Sequence, residues 1–110
     1  MGNGDLINVE LSFHETIEKI KSGVLNEGIS NKLIDEYGDG CSFHLLVFEK
    51  YFMRASSRAS LTVHIWTDNT NTKVYAIGSG GGQGTIFSFD WGAADTFIRI
   101  VRNILREYII

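Results

Sequence analysis

Apolar and polar residues alternate at the start of the chain. Ile7, Val9 and Leu11 fall on one side of an extended segment, while Asn8 and Glu10 fall on the other. A period of two predicts a strand with one buried face.

The spacing then changes to that of a helix. Ser12 and Glu15 form a capping-box pattern, in which each side chain satisfies a free amide of the first helical turn. Apolar residues then recur every three or four positions at Phe13, Ile17, Ile20 and Val24. Gly23, or Asn26 with Gly28, can end this predicted helix.

The period of two returns in the middle of the chain. It predicts strands over residues 29–37, 42–53, 59–67 and 73–77, with 85–89 as a further strand or as the continuation of the previous one after a bulge. Short polar links join these segments, which favours an antiparallel meander.

A second amphipathic helix ends the chain. Asp90 or Gly92 can cap it, and its apolar stripe contains Ala94, Phe97, Ile98, Val101, Ile104, Leu105 and Tyr108. Arg99, Arg102 and Arg106 lie off the stripe, which is typical of a solvated face.

This order of elements predicts one α+β domain over residues 1–110. We expect an antiparallel sheet of five or six strands with two helices on one face, in the order β-α-β-β-β-β(-β)-α. The arrangement resembles the TATA-binding-protein-like fold, with the helix-grip folds as the alternative. Such a likeness concerns the fold and carries no function.

The alternation predicts that both faces of the sheet are apolar. One face should carry Leu46, Phe48 and Phe52 beside Leu61, Val63 and Ile65, and it should receive the helices. The other should carry Phe43, Leu45, Val47 and Tyr51 beside Thr62, His64 and Trp66, with Glu49 opposite His64. A solvated face is normally polar, so this second face should be covered.

Three kinds of cover are consistent with the second face. The first is a second copy of the chain, which makes a homodimer interface of Phe43, Leu45, Val47, Tyr51, His64 and Trp66. The second is another ligand or partner, and the third is the N-terminal segment or the glycine-rich loop.

The densest run of glycines is the other unusual feature. Glycine permits close backbone approach to a ligand, so Gly78, Ser79, Gly80, Gly81, Gly82 and Gln83 are candidate ligand-binding residues. The lysine and the following helix of a phosphate-binding loop are missing, which favours a conformational role.

Composition excludes several classes of function. A net charge of −3 argues against nucleic acid as the main partner, and no apolar run approaches a membrane span. The single cysteine, Cys41, and the nearby His44 lack the further ligands that zinc needs. No catalytic constellation appears, and we expect no metal or cofactor in a cytoplasmic protein.

The residues of the C-terminal half resemble a small bacterial family of unknown function. The resemblance rests on residues 74–81, on Phe87 and Phe89, and on Trp91-Gly92, which opens a helix. Members often carry acidic residues after Trp-Gly, where this chain has Ala93 and Ala94, so no acid acts at that point. The family implies no known activity.

Two functions therefore follow as hypotheses. The first is a non-enzymatic binding or assembly module that self-associates through the apolar sheet face. The alternative is a small-ligand-binding protein or an enzyme that uses residues 78–84.

Overall fold

The computed structural model describes five stretches of the chain, residues 4–28, 30–52, 57–68, 71–80 and 91–110. Its elements are β1 (Asp5–Val9), α1 (Phe13–Leu25), β2 (Asn31–Gly38), β3 (Phe43–Phe52), β4 (Ser57–Asp68), β5 (Asn71–Gly80) and α2 (Trp91–Leu105), with a 3-10 turn over Arg106–Tyr108.

The five strands form one antiparallel sheet in the order β1-β5-β4-β3-β2. Strands β2 to β5 are a meander, β4 is the central strand, and α1 connects the two edge strands. The sheet and its two helices confirm the predicted α+β class. The likeness to the TATA-binding-protein-like fold stays a prediction.

The strands differ in length from those predicted. β5 begins at Asn71 and runs to Gly80, well beyond the expected 73–77, and β4 extends over Ser57–Asp68. Ladder hydrogen bonds join backbone groups, so pairing continues through polar and glycine residues that interrupt an apolar pattern. The predicted strand over 85–89 lies outside the described residues.

Helix α1 begins where the capping pattern predicts. Ser12 is its N-cap, and its Oγ accepts a hydrogen bond from the Glu15 amide at 3.2 Å. The helix continues past Gly23 to Leu25, so Gly23 does not end it. Gly23 instead lies where α1 meets Ile104 of α2 too closely for a side chain.

The core lies between the helices and one face of the sheet. Leu46 and Phe48 of β3 are opposite Val63 and Leu61 of β4, and all four are fully buried. Ile65 is also fully buried, as predicted. The helices contribute Phe13, Ile17, Ile20, Val24, Phe97, Ile98, Val101 and Leu105 to the same cluster. The side chain of Phe52 is not among those described.

The predicted pair of Glu49 and His64 is wrong. Glu49 is opposite Ser60, and His64 is opposite Leu45. Both residues lie on the predicted face, but the register places them four residues apart along the ladder. Glu49 accepts a hydrogen bond from Arg58 at 3.2 Å instead.

The turn between β2 and β3 is held by one carboxylate. Asp39 Oδ1 accepts hydrogen bonds from the amides of Cys41, Ser42 and Phe43, at 2.9, 2.7 and 3.1 Å. Together with the bond from the Ser42 hydroxyl, these hold the Asp39 pKa far below its usual value. Gly40 follows at φ 85°, a conformation that favours glycine. Cys41 is an exposed residue of this turn.

Both edges of the sheet are protected against strand addition. On β1, Val9 forms a bridge with Ile109, and the Ile110 amide donates to the Asn8 carbonyl at 2.9 Å. On β2, the register shifts between Leu33 and Asp35, which marks an irregularity in the ladder. Bulged or covered edges resist pairing with another sheet.

Candidate functional site

The face of the sheet opposite the helices, called the outer face, carries a large apolar surface. It brings together all six predicted interface residues, Phe43, Leu45, Val47, Tyr51, His64 and Trp66. None of the six is fully buried, and both described helices pack in the core on the other side. Their role as an interface stays a prediction.

Aromatic rings on three adjacent strands form a cluster, called the aromatic cluster, in the half of the outer face where β3 begins and β4 ends. Phe43 is opposite Trp66 in the β3–β4 ladder. The His64 ring lies 4.7 Å from the Trp66 ring and 6.3 Å from the Phe43 ring, while Tyr37 of β2 lies 5.9 Å from Phe43. The rings are tilted or edge-on, the arrangements that aromatic pairs favour.

Sequence reasoning missed the parts of the outer face that β1, β2 and β5 supply. Tyr37 is opposite Leu45, and its side chain is 70% exposed. Tyr75 is opposite His64, and Ile77 is opposite Thr62. The alternation of Tyr75 and Ile77 with smaller residues was visible, but only the strand order shows which face they share.

The backbone of Gly4 lies against the Tyr75 ring at the corner of the outer face next to β1. A Cβ added at Gly4 would collide with that ring. Among the described residues, Gly4 alone precedes β1, and it adds this contact to the outer face.

Charged side chains occupy the ends of the outer face. Arg58 pairs with Glu49 at one end. At the other, Lys73 lies 3.9 Å from Asp68 and donates to Asn8 at 2.8 Å. These charged pairs border a mostly apolar surface, and a polar rim around an apolar centre is common in protein interfaces.

Two arginines near the C-terminus form hydrogen bonds with other side chains of the chain. Arg102 of α2 donates two hydrogen bonds to the Asp5 carboxylate, at 2.7 and 2.8 Å. These bonds raise the pKa of the guanidinium. Arg106 donates to Asn103 at 2.9 Å. Arg102 of α2 and Arg106 of the following 3-10 turn therefore both bond to other side chains of the chain.

Glu36 joins α1 to the sheet on the core side. Its two carboxylate oxygens lie 3.1 Å from Lys21 Nζ and 3.1 Å from His44 Nε2. The hydrogen bonds with His44 and then Lys21 lower the Glu36 pKa below its usual value of 4.5.

The Glu36 contacts predict a dependence of stability on pH. Because the folded-state pKa is lowered, the stabilisation is fully present above pH 4.5 and is lost as the pH falls through the folded-state value. Glu36→Gln should therefore weaken the wild-type loss of stability below pH 4.5. Urea unfolding between pH 7 and pH 3 measures this, and parallel curves for the two proteins would contradict it.

The glycine-rich segment begins inside a strand. Gly78, Ser79 and Gly80 belong to β5 and are opposite Leu61, Ser60 and Ala59 of β4. The predicted loop therefore does not start at Gly78, because the ladder continues through it. Gly81, Gly82 and Gln83 lie outside the described residues. Ligand binding by this segment stays a prediction.

Two open clefts flank Lys19 and Tyr108, between α1 and the C-terminal turn. One, of about 340 Å³, is lined by Leu11, Glu15, Glu18 and Ser22 as well. The other, of about 460 Å³, is lined also by Asn103, Ile104, Arg106 and Glu107. Their charges are mixed, and the Lys19 ammonium lies 5.3 Å from the centre of the Tyr108 ring. Across the described stretches, no three His, Cys, Asp or Glu side chains are grouped to hold a metal.

The fold and the outer face define the chain as an α+β domain with an antiparallel sheet, helices on one face and an apolar surface on the other. The chain belongs to a family of unknown function, DUF6054, whose model matches residues 6–109. This confirms the predicted resemblance to a small family of unknown function. No curated protein and no solved structure matches the chain. None of the described helices has the length and apolar character needed to cross a membrane.

Proposed function

We propose that this protein is a non-enzymatic assembly module that forms a homodimer through the outer face. The apolar middle of that face carries the proposal. Its aromatic and aliphatic side chains come from all five strands and remain partly or largely exposed. Extended apolar patches are uncommon on monomers, so such a patch favours a protein interface.

The size of the outer face suits a dimer. With a rise of ~3.3 Å per residue and a spacing of ~4.8 Å between strands, the described strands cover roughly 700 Å² in projection. A stable interface buries about 800 Å² on each partner, and protruding side chains make the accessible area larger than the projection. One sheet packed on a second copy of itself would therefore bury enough surface.

The charges of the outer face favour a copy of the same chain over a charged polymer. Its described strand residues carry three basic and three acidic side chains, Lys32, Arg58, Lys73, Asp35, Glu49 and Asp68. Because these six charges cancel while the chain carries a net charge of −3, two copies can meet here without strong repulsion.

The protected edges favour the face over the edges as the place of contact. The C-terminal residues pair with β1, and the ladder of β2 is irregular. Extension of the sheet by a second copy would have to displace or bypass these features. Packing of two outer faces leaves both edges unchanged.

Trp66→Glu tests the proposal. A partner that covers this position would bury an unpaired carboxylate, so we expect the dimer dissociation constant to rise roughly 100-fold or more. Monomer stability should change by only about 1 kcal/mol, because the Trp66 side chain is not in the core. Sedimentation equilibrium and urea unfolding measure the two effects.

Thr67→Glu is the matched control, because it introduces the same charge at the next residue, which is exposed and points away from the outer face. It should leave the dimer intact. A wild-type protein that stays monomeric at several hundred micromolar would show the proposal to be wrong. So would a Trp66→Glu variant that associates as tightly as Thr67→Glu.

A further inference from the structure

Among the described residues, His64 is the histidine that lies on the outer face. It lies on β4, the central strand, between Leu45 of β3 and Tyr75 of β5. Its side chain is exposed and makes ring contacts with Phe43 and Trp66. The other two histidines lie elsewhere, since His14 is on α1 and His44 pairs with Glu36 on the core side.

Among the described residues, none supplies a counter-ion for a protonated His64 imidazole. No hydrogen bond or ion pair joins it to another described residue. On one side, β5 presents Tyr75 and Lys73 toward His64. On the other side, the adjoining positions of β3 carry no charged or titratable group, and Tyr37 of β2 lies beyond Leu45. The carboxylates that the described strands present on the outer face lie toward its ends or on the edge strand, at Asp35, Glu49 and Asp68.

We propose that protonation of His64 dissociates the homodimer, so that association through the outer face is sensitive to pH. This inference rests on the proposed function. When two outer faces pack about a two-fold axis, residues near the middle of the central strand meet the partner's face rather than solvent, and His64 is the eighth of the twelve residues of β4. His64 would then be covered by apolar and aromatic groups, where a charge without a counter-ion is costly.

The sign of the pH effect follows from this burial. The dimer disfavours the protonated imidazole, so it binds fewer protons than two free monomers, and lower pH favours the monomers. The change in the net charge of the whole chain has the opposite effect on dimerisation. Acid reduces the net charge of −3 on each chain and so reduces repulsion between copies.

The experiment is sedimentation equilibrium of the full chain at pH 7.5 and pH 5.5, at constant ionic strength. Ordinary histidines titrate in this window, whereas ordinary carboxylates titrate below it. Two symmetry-related imidazoles, each contributing about tenfold, should raise the dissociation constant roughly 100-fold. The His64→Gln variant should dimerise with a dissociation constant that changes less than about 3-fold over this range.

His14→Gln is the matched control, because it removes an exposed histidine that lies away from the outer face. It should keep the wild-type dependence on pH. Circular dichroism at both pH values checks that every variant remains folded.

The outcomes separate the two proposals. A wild-type protein that is monomeric at pH 7.5 overturns both the dimer and its regulation. A dimer whose dissociation constant is the same at both pH values overturns the role of His64 alone. A His64→Gln variant that still dissociates in acid also overturns that role, and it leaves the homodimer in place.

Discussion

Phe48→Ala should cost about 3–5 kcal/mol of folding free energy, whereas Phe43→Ala should cost roughly 1 kcal/mol. Both residues lie on β3, but their side chains point to opposite faces of the sheet. Phe48 is fully buried among the helices and β4, so its removal leaves a cavity in the core. Phe43 is only partly buried, in contact with the Tyr37 and His64 rings.

The same pair of variants separates stability from association. Phe43→Ala should weaken the proposed dimer, because it removes a large side chain from the aromatic cluster. Urea unfolding at a protein concentration below the dissociation constant measures stability without a contribution from the dimer. Equal losses of stability for the two variants would mean that the outer face is buried in the monomer, contrary to the face assignment.

Gly23→Val should destabilise the protein by about 1–3 kcal/mol, although valine is a slightly better helix former than glycine. A Cβ at Gly23 would lie 2.6 Å from Cδ1 and 2.8 Å from Cγ1 of Ile104. The two helices would have to separate, or Ile104 would have to move. Thermal or urea unfolding measures the loss.

Two further variants make this prediction specific. Ser22→Val places the same side chain at the neighbouring exposed position of α1, and it should cost less than about 0.5 kcal/mol. Ile104→Ala creates space opposite Gly23, so the double variant should lose less stability than the sum of the single changes. Strict additivity would show that Gly23 and Ile104 do not collide.

Local patterns in the sequence determined where helices and strands occur and which residues of β3 and β4 share a face. The alternation along β3 and β4 separated Leu46 and Phe48 from Leu45 and Val47, because successive side chains of a strand point to opposite faces. The serine and glutamate of the capping box placed the start of α1, because this signal needs only residues within one turn. Family membership was also visible, from motifs that are contiguous in the chain.

Tertiary structure alone decided how the strands combine into one surface. The addition of Tyr37, Tyr75 and Ile77 to the outer face depends on strand order and register, which join residues far apart in sequence. The same register separates Glu49 from His64. The alternation placed both residues on one face, but it did not determine whether they are opposite each other.

The role of Gly23 also depended on the tertiary structure. In the sequence this glycine resembles a helix end, because glycine commonly follows the last turn. In the fold it is an interior residue of α1, and its missing side chain lets α2 approach. The sequence by itself thus determined the α+β class, the helix start and the two-sided strands. The composition of the outer face and the contact between the helices arise only when distant segments pack, because no local pattern encodes which segments become neighbours.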